Sequence, residues 1–179
     1  MNLINSLLDK LDNRDIKKIT TVVLHHTVLS PTLDITDVAA FEMNKFGFLT
    51  VGYNCYIKKV DDYYWEAQQG RPINKLPAAQ YGFNAEGYAI AVGGNYEPGA
   101  TTFDTTISPG MISAVVGQIH ALREHYPWIK YLIGHRDIAD MKKKLGKNPS
   151  DYATLCPGQT LYDQLGNIRK MTGLLEMPS

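Results

Sequence analysis

The sequence predicts an α/β domain with a mixed central β-sheet flanked by helices. Short β-branched and apolar runs at 19–24, 88–92 and 130–134 read as buried strands. Amphipathic stripes at helical spacing lie between them, and glycine or proline closes most elements. Strands alternating with helices along one chain build a layered domain rather than a bundle or a sandwich.

Taken in order, Leu3, Ile4, Leu7, Leu8 and Leu11 predict an amphipathic helix over 1–14. The run 19–24 is a strand that delivers His25-His26-Thr27 to a loop, which Ser30-Pro31 confirms by breaking the pattern. A helix is expected over 34–46, with Ile35, Val38, Phe41 and Met43 inward and Gly47 just past its end. The aromatic and β-branched stretch 49–58 is expected to be a strand, paired in a hairpin with 63–67. Residues 88–92 form a buried strand closed by Gly93-Gly94, and a Gly/Pro/Thr-rich loop spans 95–107. Ser108-Pro109 then opens a helix with serine as N-cap and proline in the first turn. Its stripe is Ile112, Val115, Val116, Ile119 and Leu122, and Pro127 stops it. The strand 130–134 delivers His135. A short helix over 137–145, a loop over 146–154 and a helix over 160–171 with Leu161, Leu165 and Ile168 inward complete the order, and 176–179 is expected to fray.

Composition narrows the function. The chain of 179 residues is the size of one domain, 1–179, without repeats or linkers. Lys plus Arg is 18 and Asp plus Glu is 18, so no charge excess points to nucleic acid. No apolar run approaches the ~20 residues of a membrane span, so no membrane insertion is expected. Residues 1–14 mix leucines with Asp9, Lys10 and Asp12, unlike a secretory signal, and synthesis in the cytoplasm is expected. A monomer is expected. Two cysteines, Cys55 and Cys156, are too few for a disulfide scaffold.

Three soft donors stand at element ends: His25 or His26, His135 and Cys156. Two imidazoles and a thiolate are a set that Zn²⁺ takes in catalytic sites, leaving a fourth position for water. No Cys-x-x-Cys pair occurs, so a structural zinc finger is excluded. Side chains alternate along a strand, so only one of His25 and His26 reaches a shared ion, and parity alone does not say which.

The ordered set His25-His26-Thr27, Gly52-Tyr53-Asn54, Gly93-Gly94-Asn95-Tyr96, Gly134-His135-Arg136-Asp137, Thr154-Leu155-Cys156-Pro157-Gly158 and Leu161-Tyr162 closely resembles the zinc-dependent N-acetylmuramoyl-L-alanine amidases. These share a fold with animal peptidoglycan recognition proteins and small phage lysozymes of amidase type. The resemblance covers about 20–165. It implies one Zn²⁺ per chain held by His25, His135 and Cys156, with bacterial peptidoglycan as partner and His26 left to pack or support. It also implies Tyr53 as a hydrogen-bond donor to the oxyanion or positioner of water. Thr154 stands where the small phage enzymes have lysine and the catalytic recognition proteins have threonine; it carries no charge, and the resemblance implies that it supports the site by hydrogen bonding and, with Tyr53, steadies the oxyanion. Asn54 and 80–84 (Gln-Tyr-Gly-Phe-Asn) depart from positions where many members carry histidine, which puts groove contacts in question. A phage endolysin fits the expectation of synthesis without a signal and action on the wall; a non-catalytic recognition module and a cytoplasmic recycling amidase are the alternatives.

Other reactive residues read as ordinary. His120 and His125 fall on different faces of one helix and are expected at the surface. Lys142, Lys143, Lys144 and Lys147 read as a solvated face, and Glu66 as a hairpin residue with an acid/base role as its alternative. Cys55, sharing the face of Tyr53 and Ile57 by alternation, is expected to be a buried small hydrophobe. A cysteine peptidase built on Cys55 or Cys156 is the remaining enzymatic alternative.

Overall fold

The computed structural model describes residues 7–103 and 105–178. Five strands, β1 (Thr21–His26), β2 (Cys55–Lys59), β3 (Trp65–Gln69), β4 (Gly87–Val92) and β5 (Tyr131–Gly134), form one sheet in the order β3-β2-β4-β1-β5. β1 runs parallel to β4 and β5, β2 runs parallel to β4, and only the edge strand β3 is antiparallel. The helices are α1 (Ile35–Phe46), α2 (Pro109–His125), α3 (Asp137–Lys144), α4 (Gln159–Tyr162) and α5 (Leu165–Thr172). Every residue of β1 and β4 is buried, as continuous apolar runs in a sheet covered on both faces require.

The two faces are covered differently. On one, α2 and α5 press Met111, Val115, Ile119, Leu165 and Ile168 onto Val22, Leu24, Ile57, Ile90 and Leu132 in a single cluster. On the other, Val38 of α1 packs with Val51, Tyr56 and Ala91, while Ile138 of α3 packs with Val23, Phe83 and Ile133. His25, near the C-terminal end of β1, lies on this second face, beside Tyr53 of the α1 cluster. No helix among the described residues is long and apolar enough to cross a membrane.

Several elements fall as the pattern predicts. Ser108 caps α2 by accepting from the Met111 N–H at 3.2 Å, and its five-residue stripe is buried throughout. Gly47 ends α1 in the left-handed region at φ 71°.

Others differ, each for a visible reason. The strand expected from 49 begins only at Cys55. The Asn54 side chain accepts from the Ala89 N–H at 3.0 Å, and residues 50–53 turn away, so Tyr53 joins the α1 side while Cys55 and Ile57 face α2. Tyr53 and Cys55 therefore do not share a face. The hairpin partner is displaced to Trp65–Gln69 because Asp61 Oδ1 accepts from the N–H groups of Tyr63 and Tyr64 and holds them in the turn.

In α1 the buried positions are Val38 and Glu42, whereas Phe41 and Met43 are exposed at 36% and 40%. The final helix divides into α4 and α5, since Gln164 N bonds Leu161 O three residues back and tightens the turn. The loop 146–154 contains a 3-10 turn, Pro149–Tyr152. Leu3 and Ile4 of the expected first helix lie outside the described residues; 7–9 are helical, and Asn13 bridges Lys75 beyond them. The tail expected to fray is held as far as Met177: Leu175 bridges Tyr131, and Met177 packs beside Ile138.

Candidate metal centre

Alternation along β1 decides between its two histidines. His25 follows Val23 onto the face divided between α1 and α3, and His26 turns under Tyr96, where its Nδ1 accepts from the Tyr96 N–H at 3.3 Å. His135 follows directly from β5, its N–H bonding Leu24 O at 3.1 Å, and its ring centroid lies 4.6 Å from that of His25. The loop ahead of α4 brings Cys156 Sγ to 3.6 Å from His25 Nδ1. One donor atom from each of His25, His135 and Cys156 lies within 4.8 Å of the others. The three residues that the resemblance selects are thus brought together from three separate segments.

The surrounding motif residues hold that geometry. Arg136 N donates to Cys156 O at 2.9 Å, and its guanidinium reaches Leu155 O and Gln159 Oε1 while lying 4.7 Å over the Tyr162 ring. Asp137 accepts from Gly134 N at 2.9 Å and from the Tyr162 hydroxyl at 2.5 Å. Gly134 must lack a side chain, because a Cβ there would stand 2.8 Å from the Tyr162 ring. Thr154 Oγ1 accepts from Cys156 N at 3.1 Å, which leaves the threonine O–H free to donate elsewhere. His26 N–H points at Cys156 Sγ at 3.4 Å, so His26 supports the sulfur through its backbone.

Burial sets the protonation of the donors. It lowers His25 well below the ordinary imidazole value, with His135 adding to the effect, and lowers His135 to about 4. Both rings are neutral near pH 7, the form that binds metals. Burial pushes the Cys156 thiol up to about 12, so it is no free thiolate nucleophile, although its spacing to His25 resembles a thiol–imidazole pair. Two neutral imidazoles and a thiol that ionises on coordination fit a zinc ion. Cys55, buried under α2 with its thiol likewise raised to about 12, belongs to neither a pair nor this cluster.

Tyr53 stands beside the donors, its ring 5.5 Å from that of His25. Its loop is clamped from both sides: Arg71 donates to Thr50 O, Val51 O and Leu76 O, and buried Glu42 accepts from the Gly52 N–H at 2.7 Å. Burial first, then the Glu42 carboxyl, raises the Tyr53 pKa well above that of a free phenol. A cavity of about 350 Å³, lined by Thr27, Leu29, Phe41, Glu42 and Tyr53, opens alongside.

The sequence reading did not single out Glu42, and it noted Gln80 only within the departing segment 80–84, without its contact to His25. Glu42 hides in a helical stripe as an apparent polar interruption, and Gln80 sits in a loop, yet its Oε1 lies 2.9 Å from His25 Nε2. Asn54, which departs from the family pattern, is a buried plug taken up by Ala89, Arg14 and Arg71 O. His120 and His125 are exposed on α2, away from the cluster.

Comparisons with known proteins agree on the fold. The family described as N-acetylmuramoyl-L-alanine amidase matches residues 15–159. A search of the curated proteins finds no match. Among solved structures, the N-acetylmuramoyl-L-alanine amidase LysC from Clostridium intestinale is 19% identical with a TM-score of 0.63, covering 92% of this chain and 93% of its own. The endolysin of Thermus scotoductus bacteriophage Ph2119 is 21% identical with a TM-score of 0.62, over 90% and 89% of the two chains. Drosophila PGRP-LB is 20% identical with a TM-score of 0.66, over 95% and 90%.

Proposed function

The chain belongs to the N-acetylmuramoyl-L-alanine amidase family, and from that premise we propose that it hydrolyses the amide between N-acetylmuramic acid and L-alanine in bacterial peptidoglycan, with one zinc ion held by His25, His135 and Cys156. The observation that carries this reading is the convergence of those three donor atoms within 4.8 Å beside Tyr53. Three protein ligands leave a position for water, which a closed structural site does not. Zinc bound there would acidify a coordinated water and polarise the scissile carbonyl.

The chain's own residues then have distinct tasks. Tyr53 keeps its proton across the working range because its pKa is raised, so it acts as a hydrogen-bond donor to the oxyanion rather than as a base. Thr154 accepts from the Cys156 N–H, fixing the sulfur, and its free O–H is the second donor toward the oxyanion. The cavity beside Tyr53 receives part of the substrate, and the partly exposed Phe41 supplies apolar wall. The role is proposed to be lysis of a bacterial host, in keeping with endolysins among the structural neighbours.

Mass spectrometry of digested sacculi tests the bond. The expected products are intact stem peptides with N-terminal L-alanine, alongside uncut glycan strands, and chelation should abolish their release. New reducing sugar ends, or binding of sacculi without product, would overturn the reading. Cleavage confined to soluble anhydro-muropeptides would replace lysis with recycling and leave the bond assignment standing.

A further inference from the structure

Two neutral tautomers are open to a buried histidine, and they present different nitrogens to a metal. In His25 the choice is made by Gln80. The Gln80 amide is fully buried, and its Oε1 lies 2.9 Å from His25 Nε2. An amide oxygen only accepts, so Nε2 must carry the single imidazole proton. That leaves the lone pair on Nδ1, the atom 3.6 Å from Cys156 Sγ.

The amide is fixed oxygen-first. Gln80 N donates to Asn84 Oδ1 at 3.0 Å, Gln80 O accepts from Phe83 N at 2.9 Å, and Gln80 Nε2 is directed at Phe83 O at 3.4 Å. Flipping the amide would set two carbonyl oxygens against each other and aim its NH₂ at His25. Gly87 leaves room for this arrangement, since a Cβ there would fall 1.9 Å from Gln80 Nε2. Backbone, turn and neighbouring glycine all hold one orientation of one side chain whose free acceptor meets one ring nitrogen.

We propose that Gln80 is a positioning residue of the metal centre: its Oε1 holds the Nε2–H of His25 and so presents Nδ1 to the ion. The inference rests on the metal reading above, but its test uses no peptidoglycan. In the full chain stripped of metal, nitrogen–proton correlation spectra should show wild-type His25 protonated at Nε2, and Gln80→Leu should populate both tautomers. Titration with zinc against a competing chelator should show Gln80→Leu weakened about 10- to 100-fold, the usual effect of losing such a partner. Gln80→Glu retains an acceptor at the same reach and should bind zinc at least as tightly as wild type, to within about threefold.

A Gln80→Leu protein with unchanged tautomer and wild-type zinc affinity would overturn the proposal. So would a folded Gln80→Glu protein as weak as Gln80→Leu, because the loss would then come from packing and not from the acceptor. If the wild-type chain takes up no zinc, the metal reading fails on its own, and the tautomer spectra still decide the role of Gln80.

Discussion

Under α2 and α5 the sheet is sealed by one continuous apolar cluster, whereas the opposite face carries two smaller clusters with His25, Gln80, Tyr53, His135 and Cys156 between them. The adjacent residues His25 and His26 sit on these two sides of the same strand, which makes the comparison unusually direct. On its other side the strand gives a polar ring a single backbone partner, as His26 has in Tyr96 N, with Glu97 and Arg136 as the charged groups acting on it. On the divided face polar side chains hold one another, as His25 and Gln80 do, and a cavity opens beside Tyr53. Stability and reactivity are thus assigned to different faces of one sheet.

The largest expected effect lies on the divided face. Cys156→Ser should lose zinc and amidase activity together, because a hydroxyl replaces the only thiol in the proposed three-residue ligand set. His26→Ala, one strand position from the proposed ligand His25, should retain a full equivalent of zinc. Metal analysis of the two purified variants checks this, and the opposite pattern would exchange the roles of the two sides.

On the sealed face, Ile119→Ala should cost about 2–5 kcal/mol of folding stability, since Ile119 is fully buried in a cluster that cannot collapse around the gap. Zinc stoichiometry in the folded fraction should not change. Denaturant unfolding of the two proteins measures the loss, and a cost under about 1 kcal/mol would mean the seal is less tightly packed than its burial indicates.

How far the sequence revealed these faces follows from which interactions are local. The α2 stripe and the all-buried runs of β1 and β4 were legible because periodicity and burial coincide there. The three residues that converge were legible because Gly134-His135-Arg136-Asp137 and Cys156-Pro157-Gly158 are local signatures whose backbone and glycine requirements the structure accounts for, and their role as zinc ligands is the proposal made above. The phase of β1 was not legible, since both His25 and His26 fit a buried strand. Glu42 was missed, and Asn54 and Gln80 were noted only as departures from the family pattern, for a common reason: each is an unremarkable polar residue until Gly52, Ala89 or His25 arrives from elsewhere in the chain.

Tyr53→Phe separates positioning from ligation on the divided face. It removes a donor and leaves the ring that packs by His25, so zinc content and sacculus binding should hold while turnover falls. A lost transition-state hydrogen bond of this type is worth about 2–4 kcal/mol, roughly a 30- to 1,000-fold drop in kcat. Single-turnover assays with saturating substrate distinguish this from weaker binding. An unchanged rate with intact zinc would reduce Tyr53 to a wall of the cavity.

The smallest effect returns to His26. Burial lowers its pKa to about 4, against about 6.5 in an unfolded chain. The folded state therefore resists protonation that the unfolded state accepts. Stability from this group is fully present above pH 6.5 and declines as the pH falls toward 4, because the unfolded chain binds the extra proton first. The decline is on the order of 1–2 kcal/mol between pH 6.5 and 4.5. In metal-free protein His25 and His135 add slopes of the same sign, so the contribution of His26 is read as a difference. His26→Gln keeps an acceptor for Tyr96 N but does not titrate, and its stability should fall less steeply over the same interval. Equal slopes for wild type and His26→Gln would place the acid sensitivity wholly on the divided face.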